Sequence, residues 1–311
     1  MAYTSIDDPG IYFNTVLYTG NGSTNAITGV GFAPDWVWLK GRNNANNHNL
    51  NDTVRGVNKQ LYSDLNNAET TATTHLTAFD SDGFTLGNDG AVNGNSDTYV
   101  SWNWLAGGSA SSNGNGSITS SVSANTTAGF SIVTYTGNGT AGATVGHGLG
   151  SVPRWIIVKV RNTTNEWVVY HASLGATKFI ELNSAGASQT SSTRFNDTEP
   201  TSSVFSLGTA AGLNTSSDTH VAYCFSEKKG YSKFSSYIGN GSSDGPFVYT
   251  GFRPSWVLFK KTTGSAANWQ LWDNKRDPDN PVERAMHPDI ANTPSTDQEI
   301  DFLSNGFKIR D

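Results

Sequence analysis

The chain has 311 residues, more than one ordinary sandwich uses and enough for two or three domains. Only 15% of them are charged and the formal net charge is −6, so the basic face that neutralises nucleic-acid phosphates is missing. No apolar run of about eighteen residues is present to cross a membrane as a helix, and the single Cys224 excludes an internal disulfide and a Cys-based zinc site.

Nine Trp, 11 Tyr and 15 Phe supply cores that a disordered chain lacks, while 33 Gly with abundant Asn, Ser and Thr supply turns. This composition fits many short strands. At the start of the chain, Asp7, Asp8 and Pro9 stand where a signal peptide needs an apolar run. Next comes Tyr18-Thr-Gly-Asn-Gly22, which recurs 117 residues later as Tyr135-Thr-Gly-Asn-Gly139 and 102 residues after that as Tyr237-Ile-Gly-Asn-Gly241. Each copy then reaches a Pro-x-Trp followed by a β-branched residue: Pro34 to Val37, Pro153 to Ile156 and Pro254 to Val257. A lysine stands four residues after each Trp, as Lys40, Lys159 and Lys260. Periods of this size are whole domains rather than solenoid turns.

Further along, Asp82-Gly-Phe-Thr-Leu86 matches Asn305-Gly-Phe-Lys-Ile309 and, more loosely, Ser203 to Leu207. A closing strand, Asp97 to Trp104, matches Asp218 to Phe225. The runs are short, alternate with period two and lie between turn clusters, which predicts an all-β chain of tandem β-sandwich modules, jelly-roll or lectin-like. The expected division is a first copy over 1–107, a Gly/Ser/Asn/Thr linker over 108–129, a second copy over 130–229 and a third over 230–311. The first copy is expected to swing, the second and third to pack rigidly. The third copy reaches Asp311 before any closing strand, and the expectation is a truncated copy whose native chain continues.

No residue set carries a catalytic, metal or cofactor assignment. Glu299-Ile-Asp301-Phe302 has the front half of a two-carboxylate glycosidase strand, but Leu303 and Ser304 occupy the place of the second acid. The corresponding stretch of the first copy, Leu76 to Phe79, has no acids, so a solvent-facing strand is the plainer reading. Asp80-Ser-Asp82-Gly83 opens like a calcium loop and lacks its later ligands, which favours a hairpin turn. Asp277-Pro-Asp279-Asn280 is a similar acidic loop. The six histidines show no metal-ligand spacing. His171 aligns with Asp52 and Asp273, a shared polar structural position, and Asp52 with Arg55 forms a turn-stabilising ion pair. Trp102 and Trp104 lie two apart on one strand face; exposed they would stack on sugar rings, and buried they are core. They are the two candidate glycan-binding residues.

Tyr3 to Phe13, Leu17 to Gly22, Pro34 to Lys40, Asp52 to Gly56, Ser81 to Phe84, Val145 to Leu149 and Phe247 to Pro254 together resemble a repeat family of uncharacterised phage virion proteins, common in viruses of marine bacteria. The resemblance covers essentially the whole chain and includes its start at Met1; family members usually finish the third unit with one more aromatic strand. It implies a non-enzymatic virion structural protein, a tail fibre or appendage subunit with a role in host attachment. The partners expected are further copies of itself, other virion proteins and a bacterial surface glycan, with no nucleic acid and no membrane insertion. A capsid-decorating or purely architectural role is the alternative, and a glycan depolymerase a third reading.

Overall fold

The computed structural model describes Thr4 and residues 6–310. The remaining residues, which carry part of the opening of the resemblance and the expected truncation point, lie outside the described residues. The protein is nearly all β. Its first large antiparallel sheet runs in the order Phe13–Thr19, Thr98–Trp104, Trp36–Gly41, Asn49–Asp52, Lys59–Tyr62, Thr70–Thr71. The second repeats that order with Phe130–Thr136, Thr219–Phe225, Trp155–Val160, Val168–His171, Lys178–Glu181 and Gln189–Thr190. Of the third large sheet, Trp256–Phe259 pairs with Gln270–Asp273, and Leu271 makes one further antiparallel bridge to Met286.

Small sheets accompany the large ones. Gly83–Leu86 lies between Asn25–Ile27 and Leu76–Asp80; Val204–Leu207 pairs with Ala143–Gly146; Gly306–Ile309 lies between Phe247–Tyr249 and Ile300–Leu303. These are the segments that the Asp-Gly-Phe correspondence aligned. The two-residue turn before Gly83, whose φ of 148° suits glycine, closes the first of these hairpins.

Period-two alternation explains why the large sheets are buried on both faces. On Trp36–Gly41, Val37 and Leu39 pack with Ile27, Phe84 and Leu86 of the small sheet, while Trp36 and Trp38 turn the other way. On Trp155–Val160, Ile156 and Val158 face Phe205 and Leu207, while Trp155 and Ile157 turn away. Val257 joins Phe302 and Phe307, whereas Trp256 and Leu258 turn away. All the outward-turned residues meet in one aromatic core shared by the three copies. There Trp36 stacks on Tyr223 of the second copy at 4.3 Å between ring centroids and packs on Trp104 at 4.4 Å. Such pairs contribute about 0.5–1.5 kcal/mol each beyond the area they bury.

Two expectations are corrected by this arrangement. The stretch 108–129 is not a loose linker: Ser111–Asn113 and Ser120–Asn125 extend the second large sheet past Phe130–Thr136. Nor does the first copy swing, because its Trp36, Trp38 and Trp102 lie in the same core as Tyr223 and Leu271.

Candidate functional site

The recurring lysines sit on the strand face that alternation gives to the shared core, the face of Trp36, Trp155 and Trp256. Lys40 Nζ donates to the carbonyls of Gly41 (3.2 Å), Asn44 (3.2 Å) and, from the third copy, Ala291 (3.1 Å). Lys159 Nζ donates to Val160 (3.0 Å), Asn165 (2.9 Å) and, from the first copy, Asn66 (3.1 Å). Lys260 Nζ donates to Ala267 and, from the second copy, Ala185 (2.7 Å). Each lysine thus clamps a neighbouring copy in cyclic order. Burial pulls Lys40 and Lys159 down to about 8, with the Asp64 and Glu166 charges acting the other way.

A second contact follows the same cycle. Trp167 Nε1 donates to the Tyr62 carbonyl at 2.8 Å, and Trp269 Nε1 to the Glu181 carbonyl at 2.9 Å. His48 takes that place in the first copy; its Nδ1 accepts the Trp38 Nε1–H at 3.0 Å, and the main chain of His287 lies against its ring. Burial, and then the Lys40 charge, hold His48 well below the usual imidazole value.

The third contact is the one the aligned Asp52, His171 and Asp273 foreshadow. They occupy the same register, opposite Trp36, Trp155 and Trp256. Asp52 is ion-paired with Arg55, as expected, and its Oδ2 also accepts the Tyr223 hydroxyl from the second copy at 2.7 Å. Asp273 pairs with Arg276 at 2.6 Å and accepts Trp102 Nε1 from the first copy at 3.0 Å. Burial opposes the charge on Arg55, but Asp52, Tyr223 and Glu69 more than restore it, so its pKa is raised. Glu69 bridges Arg55 (3.1 Å) to Arg161 of the second copy (2.9 Å). At the third junction His171 and Leu174 replace the Asp–Arg pair. His171 Nδ1 accepts the Ser173 N–H at 3.1 Å, and burial, then Arg154, pull the ring down to about 4.

Beside that third junction opens a cavity of about 1230 Å³, walled by Phe13 and Trp104 of the first copy, Phe225 and His171 of the second, and Trp256 and Ile238 of the third. Ile238, Tyr249 and Phe247 are the most exposed large apolar side chains among the described residues, and all belong to the third copy.

The candidate glycan residues are placed inside. Trp102 is fully buried and committed to Asp273, with no open face for a sugar ring; Trp104 is 7% exposed and lines the cavity. Asp301 is buried and ion-paired to Arg310, which corrects the expectation of a solvent-facing strand. Asp82 accepts the Gly29 and Gly31 N–H groups at 3.0 and 2.6 Å, and Asp277 accepts the Glu283 N–H at 2.7 Å. Both acidic loops therefore spend carboxylate oxygens on backbone. Among the described residues no group of three or more His, Cys, Asp and Glu side chains is placed to hold a metal ion.

Sequence reasoning missed the lysine clamps. The clamps had a signal: a Lys recurring on a strand face that otherwise carries Trp, Ile and Leu must be buried and paired.

Residues 8–311 match the domain of unknown function DUF7483. The chain belongs to that family. No curated protein matches the DUF7483 chain, and no solved structure does.

Proposed function

We propose that this DUF7483 protein is a non-enzymatic structural protein of a bacteriophage particle, a tail fibre or appendage subunit that presents a rigid body for host attachment. One observation carries the structural part of the reading. The buried ionisable side chains at the copy junctions, Lys40, Lys159, Asp52 with Arg55 and Asp273 with Arg276, are each spent on contacts between copies. A catalytic centre leaves such groups poised toward a cleft instead. The phage assignment rests on the sequence resemblance, and its partners are further copies of the chain, other virion proteins and a bacterial surface glycan. The protein resides in the particle.

The architectural reading, in which the only partners are virion proteins, is favoured by the exposed Ile238, Phe247 and Tyr249 of the third copy. Gold-labelled antibody against the protein, imaged on intact particles, separates the two. Label at the tail supports attachment, label spread over the head supports decoration, and unlabelled particles contradict both.

A further inference from the structure

We infer that a pocket between the first and third copies binds a ligand carboxylate, one carried on a hydroxylated body such as a sugar acid. The pocket has a volume of about 410 Å³ and brings Arg42 of the first copy together with Arg276 and Arg284 of the third. The equivalent junction of the first two copies is already filled, by Glu69. Its Oε2 accepts from Arg55 Nη1 (3.1 Å) and Arg161 Nε (3.0 Å), and its Oε1 from Arg161 Nη2 (2.9 Å). Three pairs of contacts fix the correspondence between the junctions. Lys159 bonds the Asn66 carbonyl and Lys40 that of Ala291, so three residues further on Glu69 is matched by Pro294. Arg161 and Arg42 each follow the clamping lysine by two residues, and their N–H groups donate to the Thr219 and Thr98 carbonyls, both at 2.7 Å. Arg55 Nη1 donates to the Lys59 carbonyl and Arg276 Nη1 to that of Arg284, which matches Lys59 with Arg284. The arginines of the filled junction are thus kept, and its acid is replaced by proline.

Charge then specifies the ligand. Asp273 is ion-paired with Arg276, but among the described residues no acceptor bonds the guanidinium of Arg42 or of Arg284. Burial, and then the charges of Arg276 and Arg284, lower the Arg42 pKa, with Asp273 acting the other way. An oxyanion relieves that repulsion, and a planar carboxylate matches the guanidinium fork as Glu69 does. Asp97 does not take the place of Glu69. Its carboxylate accepts from Asn43 and Asn44, both at 3.2 Å, and Asp218 is held likewise by Asn162 at the junction where Glu69 is present. The third junction has Leu174, Ser188 and Thr262 at the three places and needs no ion. There the Ser188 N–H donates to the Thr262 carbonyl, as that of Glu69 does to Arg161. The pocket is larger than a carboxylate alone, within the range of about 300–1,000 Å³ for small-ligand sites. Thr98, Thr293 and Thr296 line it with hydroxyls, which suit a hydroxylated body.

The test titrates the full chain with glucuronate, glucose, cyclohexanecarboxylate and inorganic phosphate by calorimetry, at one ionic strength set with sodium chloride. The proposal expects saturable one-to-one binding of glucuronate, and binding at least about tenfold weaker for each of the other three. Arg42→Gln removes the charge from a half-buried side chain that bonds no other group, and lowers glucuronate affinity at least about tenfold. Pro294→Glu supplies the acid that the first two copies already have. It raises the melting temperature of the ligand-free protein and abolishes glucuronate binding. Should that variant misfold, Arg284→Gln, at an exposed position, lowers glucuronate affinity as well. Absence of saturable binding, undiminished binding by Arg42→Gln, or retained binding by a folded Pro294→Glu variant overturns the proposal. Phosphate bound as tightly as glucuronate overturns the carboxylate assignment, and cyclohexanecarboxylate bound as tightly overturns the hydroxylated body.

Discussion

The Tyr223 hydroxyl donates to Asp52 Oδ2 at 2.7 Å, tying the closing strand of the second copy to a buried ion pair of the first. Trp102 Nε1 and Asp273 Oδ2 repeat the relation at 3.0 Å between the first copy and the third. Removing the hydroxyl by Tyr223→Phe costs about 1–3 kcal/mol, since the buried carboxylate loses one of its donors. Asp52→Ala costs more, about 3–5 kcal/mol, because Arg55 is left charged and buried with Glu69 as its remaining carboxylate. A double-mutant cycle by denaturant unfolding measures the coupling, and strict additivity would contradict the contact.

The lysine clamps lead to a second expectation. Lys159→Met keeps the stem and removes the ammonium, leaving the Asn66, Val160 and Asn165 carbonyls short of a donor. The loss expected is about 1–3 kcal/mol, with faster exchange around 64–66 in the first copy as well as at the mutated strand. Exchange changes confined to the second copy would show that the clamp does not join the two.

Acid sensitivity follows from the buried histidines. His220, stacked on Tyr135 at 4.8 Å, is pulled down to about 4 by burial, with Asp218 acting the other way. A depressed imidazole stays neutral in the fold while the unfolded chain takes up a proton near pH 6.5. The unfolded state then binds more protons, and stability falls as pH drops from 6.5 toward 4. His171 adds to the same window. Burial lifts Asp64 and Asp289 to about 6, and they act oppositely, since protonation in the fold stabilises it as pH drops from 6 toward the ordinary carboxylate value. His220→Gln flattens the acid arm of a plot of stability against pH by about 3 kcal/mol between pH 6.5 and 4. An unchanged slope would show that His220 is not held neutral.

For the tryptophan pair, Trp102→Ala is expected to act on folding, costing about 3–5 kcal/mol through a core cavity and a lost donor to Asp273. A glycan array read with a folded Trp102→Phe variant should match the parent. Loss of a glycan signal at unchanged stability would return Trp102 to the binding role.

Strand positions were legible where pattern and turn chemistry agree locally. The closing strands, the Pro-x-Trp strands and the Asp-Gly-Phe hairpins all fall where alternation puts them. What a single copy could not reveal is which face meets another copy. Trp36 and Val37 look equally apolar in sequence, yet one serves the common core and the other its own sandwich. The same ambiguity made 108–129 read as linker, because Ser120 to Asn125 is polar enough for a loop and becomes a strand by pairing with Phe130–Thr136. What the sequence left open about the cavity was its size and which side chains of the other two copies wall it.

Three sequence repeats that share one aromatic core should unfold as one cooperative body. Scanning calorimetry of the full chain measures this through the ratio of calorimetric to van't Hoff enthalpy. A single transition with a ratio near unity is expected, and in a Trp36→Ala variant the whole transition moves down together. Two or three separable transitions, with only one displaced by Trp36→Ala, would contradict it.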